Sequence, residues 1–447
     1  MKINTKVILK NSIALAISSP LLLCPQQLFA ADWLSLQGLE RPKMEKNMKI
    51  WGFLQPDFSR TDGTNLKAGP WAGKAAVFNQ IGPDNKSNST FNIRRARIGI
   101  RGQLDYNKIN YFFLSEFGNN GITRGKGAQL TDASVTFNYI PNLHFRVGQF
   151  KTPGSEEGLR AIHVFEYNNF TNPVGQLLLE RHLDEDGSRT GASPDVTNGL
   201  NGPVGAFRDI GIMAFNTFKM GKGLELSLAG MIGNGNGISR GDNDDNKELY
   251  LYAATEKVFA GKGPRRKGAK FYGWYQDGKR TLDFANGVAG KQEFDRKRYG
   301  VGVTYSKGKF RASSEYIKAE GMIFNGSDGG AVPGTLNNAG TQVASLNILT
   351  KDEADGYYLD AGYKVTPKLE LDIRYDELNR GTKTSKAERK FNTLTLGAQY
   401  FLSKRTRVIA NYEFRDAEAP NLPAAAPPNK ILDGMDDRVS LQVLTVF

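Results

Sequence analysis

The sequence has 447 residues, with 59 Lys and Arg against 46 Asp and Glu, a single Cys and 50 Gly. The mean hydropathy is −0.44, and the only long apolar stretch lies near the N-terminus. A protein that crosses a membrane with several helices is therefore excluded, because each helix needs about 20 mostly apolar residues. Aromatic residues make up 11% of the sequence and are spread along it, which argues against intrinsic disorder.

The N-terminus has the pattern of a secretory signal peptide. Lys2, Lys6 and Lys10 precede a short apolar stretch at 13–23, and small residues follow. The apolar stretch is too short for a stable membrane helix, and this order of features is typical of a segment removed on export. We predict a signal peptide at 1–30.

The single Cys and the export signal together narrow the chemistry of the mature chain. Cys24 lies inside the predicted signal peptide, so the mature chain has no Cys for a disulfide, a thiolate nucleophile or a metal site. We expect no cofactor. We also expect no nucleic-acid partner, although the composition is basic, because an exported chain rarely meets nucleic acid. The polar residues 31–47 are predicted to form an N-terminal periplasmic segment, either a short plug or an ordered tail.

From Ile50 onward, apolar and polar residues alternate with a period of two. In 369–376 one face is wholly apolar and the other carries four charged residues, and 406–415 and 357–365 repeat this scheme. Alternation over this length predicts β-strands whose two faces meet different surroundings.

Sixteen such strands are predicted, and their connections alternate between short and long. This arrangement predicts an all-β fold, a 16-stranded antiparallel transmembrane β-barrel over 48–447, with short periplasmic turns and long outer loops. The C-terminal Phe447 resembles the assembly signal of bacterial outer-membrane barrels. We therefore expect the protein to be located in the outer membrane of a Gram-negative bacterium. The predicted strands are 48–57, 91–104, 109–117, 129–139, 143–151, 207–218, 223–233, 247–258, 269–277, 296–306, 309–320, 354–365, 368–378, 390–401, 405–416 and 436–447.

A barrel of sixteen strands leaves an aqueous channel, so the expected function is passage of small hydrophilic solutes. The third outer loop, 152–206, has 55 residues and includes apolar ones such as Leu159, Phe165 and Val174. Loops this long are usually functional or disordered. We expect this loop to fold inward and constrict the lumen, as the third loop of general porins does; the alternative is a cap over the outer mouth.

Side chains alternate between the two faces of a strand, so those on the face opposite the apolar residues line the lumen. We call this assignment of a residue to one face its strand parity. In the second predicted strand, apolar residues alternate with Arg95, Arg97 and Arg101, which therefore point inward; Arg146 is luminal by the same test, and Lys151 lies where the third outer loop begins. Rings of Arg and Lys favour anions and phosphate. The same parity places these further charged residues in the lumen: Arg208, Arg298, Arg311, Arg374, Arg407, Arg415, Glu116, Asp132, Glu225, Glu315, Asp360, Glu370, Asp372, Asp376 and Glu413.

The luminal acidic residues leave the selectivity open. Luminal Arg side chains either bind anions or merely pair with luminal carboxylates. The loop 152–206 itself has three Arg against eight Asp and Glu. An acidic loop that faces an Arg-rich wall suits a weakly selective pore as well as an anion-specific one.

Three motifs indicate a family. Phe-Asn-Ile-Arg-Arg-Ala-Arg-Ile-Gly at 91–99, Val-Gly-Gln-Phe-Lys-Thr-Pro at 147–153 and Arg-Asp-Ile-Gly-Ile at 208–212 resemble those of the phosphate-selective porin O and P family. The resemblance extends from about Lys49 to Phe447. It implies a homotrimeric outer-membrane channel in which Arg and Lys line an anion path.

The family motifs add one residue to the candidate anion site. The resemblance gives Arg94, Arg95, Arg97 and Lys151 as residues of the anion path. Arg94 has lipid-side parity in a regular strand, so a bulge must turn it inward for this role.

We therefore predict an outer-membrane porin for passive diffusion of small anions, including phosphate or similar oxyanions. One alternative is a weakly selective general diffusion porin. Another is a barrel that serves as a sheath or docking platform for a partner protein such as an electron-transfer cytochrome. Expected partners are small anionic solutes, outer-membrane lipid and lipopolysaccharide. An enzyme is not expected, because only His144 among the three His lies on a predicted strand and no catalytic motif surrounds it.

Overall fold

The computed structural model describes part of the chain, and the predicted signal peptide at 1–30 lies outside the described residues. Of the predicted N-terminal periplasmic segment, only 33–40 is described. Of the third outer loop, the structure describes 152–179 and 205–206. The described residues are 33–40, 48–62, 89–123, 127–179, 205–242, 244–261, 266–284, 290–324, 331–336, 342–344 and 348–447.

Sixteen antiparallel strands form a closed barrel, which confirms the predicted fold class. The first and last strands close it, with Phe58 paired to Leu441. The barrel consists of β1–β11 and β16–β20, and the short strands β12–β15 form two separate hairpin-like pairs. The strands are β1 (Met48–Thr61), β2 (Ser89–Leu104), β3 (Ile109–Glu116), β4 (Gln129–Ile140), β5 (Leu143–Lys151), β6 (Arg208–Gly221), β7 (Leu224–Gly233), β8 (Glu248–Ala260), β9 (Lys267–Phe284), β10 (Gly290–Lys307), β11 (Phe310–Glu320), β12 (Ile323–Phe324), β13 (Ala331–Leu336), β14 (Gln342–Ala344), β15 (Ile348–Leu349), β16 (Glu353–Lys364), β17 (Leu369–Arg380), β18 (Arg389–Phe401), β19 (Thr406–Glu418) and β20 (Arg438–Val446).

The helices of the described residues are short and lie in loops and in the N-terminal segment. One of them, Asn172–Leu177, lies in the third outer loop. No helix among the described residues is long and apolar enough to span a membrane. The α-helices are α1 (Trp33–Leu36), α2 (Glu156–Leu159), α3 (Asn172–Leu177) and α4 (Pro427–Leu432), and 3₁₀ turns occur at Ile162–Val164 and Ser385–Ala387.

The barrel is apolar outside and charged inside. In β17, Leu371 and Ile373 are 48% and 49% exposed, whereas Asp372 and Arg374 between them are 5% and 1% exposed. This is the reverse of a soluble sandwich, because the outer face of a membrane barrel meets lipid and the inner face meets polar groups. The alternation that predicts the strands is the alternation between these two surfaces.

The pair β9–β10 extends well beyond its predicted ends. The sequence predicts 269–277 and 296–306, but the paired register continues from Gly278 opposite Arg296 to Phe284 opposite Gly290. This part of the hairpin has polar residues on both faces, so a search for alternating apolar residues misses it. The short strands β12–β15 lie in the predicted loop 321–353, and with two to six residues each they are too short to show an alternating pattern.

Candidate anion site in the barrel lumen

All six predicted site residues have their side chains on the luminal side. Five of them are buried and Arg101 is half-buried. Burial of this degree means that other protein groups surround these cations, and those partners define what each cation does. The buried residues are Arg94, Arg95, Arg97, Arg146 and Lys151.

A β-bulge turns Arg94 inward, as the anion-path role requires. The register between β1 and β2 shifts after Gln55: Gln55 pairs with Arg95, but Pro56 pairs with Ile93. Arg94 is therefore the extra residue of the bulge, and such a residue leaves the regular alternation. Pro56 has no N–H to donate to the ladder, which suits a bulged position.

Arg94 and Arg95 have different partners. The Arg94 guanidinium donates to the Asn169 amide oxygen at 2.7 Å and lies 3.5 Å from the Asp57 carboxylate. Arg95 makes one hydrogen bond among the described residues, to the neutral Gln55 amide oxygen at 3.3 Å. Because a guanidinium has five N–H donors, Arg95 retains donors that a bound anion could use.

Arg97 is neutralised by a carboxylate. Its Nε atom donates to Glu116 Oε2 at 2.7 Å, and Glu116 is fully buried. The guanidinium also lies 5.7 Å from the centroid of the Phe53 ring. Of the three Arg in the β2 motif, only Arg95 therefore lacks an acidic partner within the described residues.

Lys151 holds the start of the third outer loop. Its ammonium group donates to the carbonyl oxygens of Gly158 at 2.8 Å, Leu159 at 3.3 Å and Arg160 at 2.6 Å. An ammonium group has three donors, so the loop backbone occupies all of them.

Arg101 binds the N-terminal segment. Its guanidinium donates to the carbonyl oxygens of Leu36 at 3.2 Å and Leu39 at 3.1 Å, and it pairs with the Glu40 carboxylate. This luminal cation thus contacts peptide carbonyls and a carboxylate of the same chain.

Arg146 makes a similar contact to the N-terminal segment. It donates to the Leu34 carbonyl oxygen at 2.9 Å, and its guanidinium lies 4.6 Å from the centroid of the Phe215 ring. On its other side, the segment contacts the third outer loop through Trp33, whose indole donates to Glu156 Oε1 at 2.9 Å. The N-terminal segment therefore lies between the luminal wall and this loop.

The third outer loop also contacts the opposite wall. Its neutral polar groups donate to acidic side chains of β11, β16, β17 and β19, which leaves those carboxylates hydrogen-bonded rather than open to solutes. These bonds are Ser155 to Glu315 at 2.9 Å, Tyr167 to Asp360 at 2.5 Å, Asn172 to Asp376 at 2.8 Å and Asn169 to Glu413 at 2.8 Å.

Glu157 of the loop is buried beside the wall. It accepts hydrogen bonds from the Thr171 hydroxyl at 2.8 Å and from the Arg374 guanidinium at 3.2 Å. Burial raises the pKa of Glu157 to about 7, although the Arg374 charge and the Thr171 hydrogen bonds act in the opposite direction. This carboxyl therefore changes its charge near neutral pH.

Two cavities lie beside the start of the loop, next to β8–β11. One, of about 70 Å³, is lined by Arg208, Arg280 and Arg296 among others. The other, of about 180 Å³, is lined by Trp33 and Lys270 among others. Both contain mixed charges, and the first also contains Glu248, to which Arg280 and Arg296 are paired.

Sequence reasoning missed three of these cavity cations. Arg280 and Arg296 lie in the polar part of the β9–β10 hairpin or at its edge, where no apolar face marks the strand. Lys270 lies within a predicted strand and has the same parity as the buried Tyr272 and Trp274. That parity could have identified Lys270 as luminal.

A closed sixteen-stranded barrel with an apolar outer surface and a charged lumen defines an outer-membrane porin. Its sequence motifs assign it more narrowly. The chain belongs to the phosphate-selective porin O and P family, whose sequence model matches residues 72–424. The Gram-negative outer membrane is accordingly its location, and a channel rather than an enzyme is indicated.

Solved porin structures support the fold. The anion-selective porin from Comamonas acidovorans superimposes with a TM-score of 0.52 at 13% identity, over 90% of this chain and 99% of that one. A loop L8 deletion mutant of OmpT from Vibrio cholerae gives 0.51 at 10% identity, with the same coverage of each chain. Salmonella typhi OmpF in complex with daunomycin gives 0.52 at 13% identity, over 90% and 97%. No curated protein matches the sequence significantly.

Proposed function

We propose that this porin passes small anions by passive diffusion, with phosphate and similar oxyanions among them. The observation that carries this proposal is Arg95. Its guanidinium lies on the luminal side, and its one hydrogen-bond partner among the described residues is the neutral amide of Gln55. A guanidinium stays charged at any physiological pH and can bind phosphate through two N–H groups at once.

The third outer loop and the N-terminal segment are proposed to narrow the lumen together. Support comes from the hydrogen bonds that join the loop to acidic side chains of β11, β16, β17 and β19, and from the Trp33 contact to Glu156. A lumen narrowed in this way excludes large solutes and brings small ones close to the charged wall.

A weakly selective general porin is the second candidate. The pairing of most luminal cations supports it: Arg97 pairs with Glu116, and Arg208 pairs with Asp132 at 2.9 Å. A neutralised guanidinium attracts anions less than a free one, so the selectivity rests on few groups.

The assembly is proposed to be a homotrimer, as the family resemblance implies. Its outer end is proposed to face lipopolysaccharide. Light scattering of the detergent-solubilised protein tests the first point: a mass of three chains is expected, and a mass of one chain would contradict it.

Block of chloride current by phosphate tests the anion proposal. In a planar bilayer, millimolar phosphate should reduce the chloride current of the wild type and should act at least about tenfold more weakly on Arg95→Gln, since a lost charged hydrogen bond costs about 1.5–3 kcal/mol. Lys247→Gln is the matched control, because its ion pair with Asp242 lies on an exposed outer loop. Equal block in all three proteins would overturn the proposal.

A further inference from the structure

The two ends of the barrel differ in how their exposed charges are arranged. At the short-turn end, the connections and the strand ends that they join have nine exposed cations, Lys49 at the start of β1 is a further one, and Asp105 is the one exposed acidic side chain in the described residues there. We call the nine cations the basic collar. They are Lys108, Lys219, Lys222, Lys257, Lys307, Lys309, Lys368, Lys404 and Arg405.

Five cations at the opposite end have acidic partners, although Lys351, Lys386 and Lys430 are exposed there without an ion pair among the described residues. None of the nine collar residues forms an ion pair with a carboxylate within the described part of the chain. Those outer pairs are Arg60 with Asp62, Lys247 with Asp242, Lys279 with Glu293, Lys383 with Glu353 and Lys390 with Glu377. The collar is therefore an uncompensated positive surface, which is unfavourable unless anions from outside the chain neutralise it.

Side-chain geometry shows which way part of the collar points. The Lys108 ammonium lies 5.5 Å from the centroid of the Tyr139 ring, and the Lys307 ammonium lies 5.8 Å from the centroid of the Phe259 ring. Both rings are on the outer face, 54% and 41% exposed. These ammonium groups therefore lie over the lipid-facing surface and not over the channel mouth.

The aromatic residues beneath the collar place it at the level of lipid headgroups. Tyr305, Phe310, Tyr363 and Tyr400 are exposed on the same outer surface near the short turns. Such aromatic girdles mark the membrane–water interface of outer-membrane barrels, and short turns mark the periplasmic end. Lysines just beyond such a girdle are at the level of the lipid headgroups.

We propose that the basic collar binds the headgroups of anionic phospholipids in the periplasmic leaflet. Each Lys near an anionic lipid surface strengthens association by about fivefold, so a ring of nine can concentrate such lipids around the barrel. The proposal does not depend on which solute passes through the lumen.

Spin-label electron paramagnetic resonance of the reconstituted full-length barrel tests this directly. It measures the association of labelled phosphatidylglycerol relative to labelled phosphatidylcholine. We expect a ratio well above one for the wild type. In a collar variant with Lys108, Lys257, Lys307 and Lys309 changed to Gln, this ratio should be at least about fivefold lower. The matched control variant has Lys247, Lys279, Lys383 and Lys390 at the outer end changed to Gln, and it should keep the wild-type ratio.

A ratio near one for the wild type would overturn the proposal, and so would an unchanged ratio in the collar variant. If that variant keeps its lipid preference but shows reduced phosphate block of the channel, the collar is a solute site instead. If the fourfold variant fails to fold, Lys307→Gln alone should lower the ratio measurably while Lys279→Gln does not.

Discussion

The indole of Trp33 donates a hydrogen bond to the Glu156 carboxylate at 2.9 Å, and this contact joins the N-terminal segment to the third outer loop. Trp33 is 4% exposed and lines the larger of the two luminal cavities. The same Glu156 carboxylate pairs with Lys270 on β9. One carboxylate thus connects the N-terminal segment, the loop and the barrel wall.

Replacing Trp33 should widen the channel. Trp33→Ala removes a large buried side chain and the donor to Glu156, so the N-terminal segment should detach at least partly from the loop. We expect a larger single-channel conductance. The barrel itself should stay folded, which its resistance to unfolding in detergent at room temperature checks. Conductance equal to that of the wild type would show that the segment does not limit the current.

Arg97 and Arg95 should respond differently to the same substitution. Arg97→Gln leaves the buried Glu116 carboxylate without its cation, which costs about 3–5 kcal/mol of stability. Arg95→Gln removes no acidic partner among the described residues and should be nearly neutral for stability. Thermal unfolding midpoints measure this contrast. The double variant Arg97→Gln/Glu116→Gln should recover much of the loss, and equal midpoints for both single variants would contradict this account.

Lys151 should act mainly through the loop. Lys151→Gln leaves loop carbonyl oxygens without donors, at a cost of about 1–3 kcal/mol for each unsatisfied group. We expect larger current fluctuations in single-channel records, with a smaller change in ion selectivity than Arg95→Gln causes. A large loss of anion selectivity without added fluctuation would instead make Lys151 part of the anion path.

Stability should depend on pH through Glu157. Its pKa is raised from 4.5 to about 7 by burial, so its protonated form is the one that the folded state favours. The protonated Glu157 carboxyl stabilises the folded state fully below the pKa of 4.5 that it has in the unfolded chain. This stabilisation is lost as the pH rises through about 7, and the free energy of unfolding falls by an amount on the order of 3 kcal/mol.

Thermal unfolding across this pH window tests the role of Glu157. The midpoint of the wild type should fall more between pH 5 and pH 8 than that of Glu157→Gln, which keeps the neutral form at every pH. Parallel pH profiles for the two proteins would contradict the assignment.

Strand alternation and connection length predict the barrel because lipid and lumen impose opposite requirements on neighbouring residues. The same parity correctly directs Arg97 and Arg146 inward, but it does not predict their partners. Glu116 lies on another strand, and Leu34 belongs to a polar segment with no periodicity. Those partners depend on pairing and packing that a single strand does not encode.

The inward position of Arg94 depends on a second strand as well. Parity alone directs Arg94 to lipid, and only the register shift opposite Pro56 turns it into the lumen. The roles of the six cations in anion binding, and the constriction by the loop 152–206, remain predictions.

The reversal potential of the mature protein in a planar bilayer, across a KCl gradient, tests the central claim most directly. An anion-conducting porin that relies on Arg95 should give a potential of the sign set by chloride, and Arg95→Gln should move it toward zero. A wild-type potential near zero would contradict anion selectivity and favour a general porin. Absence of any conductance would contradict the channel and favour a docking platform.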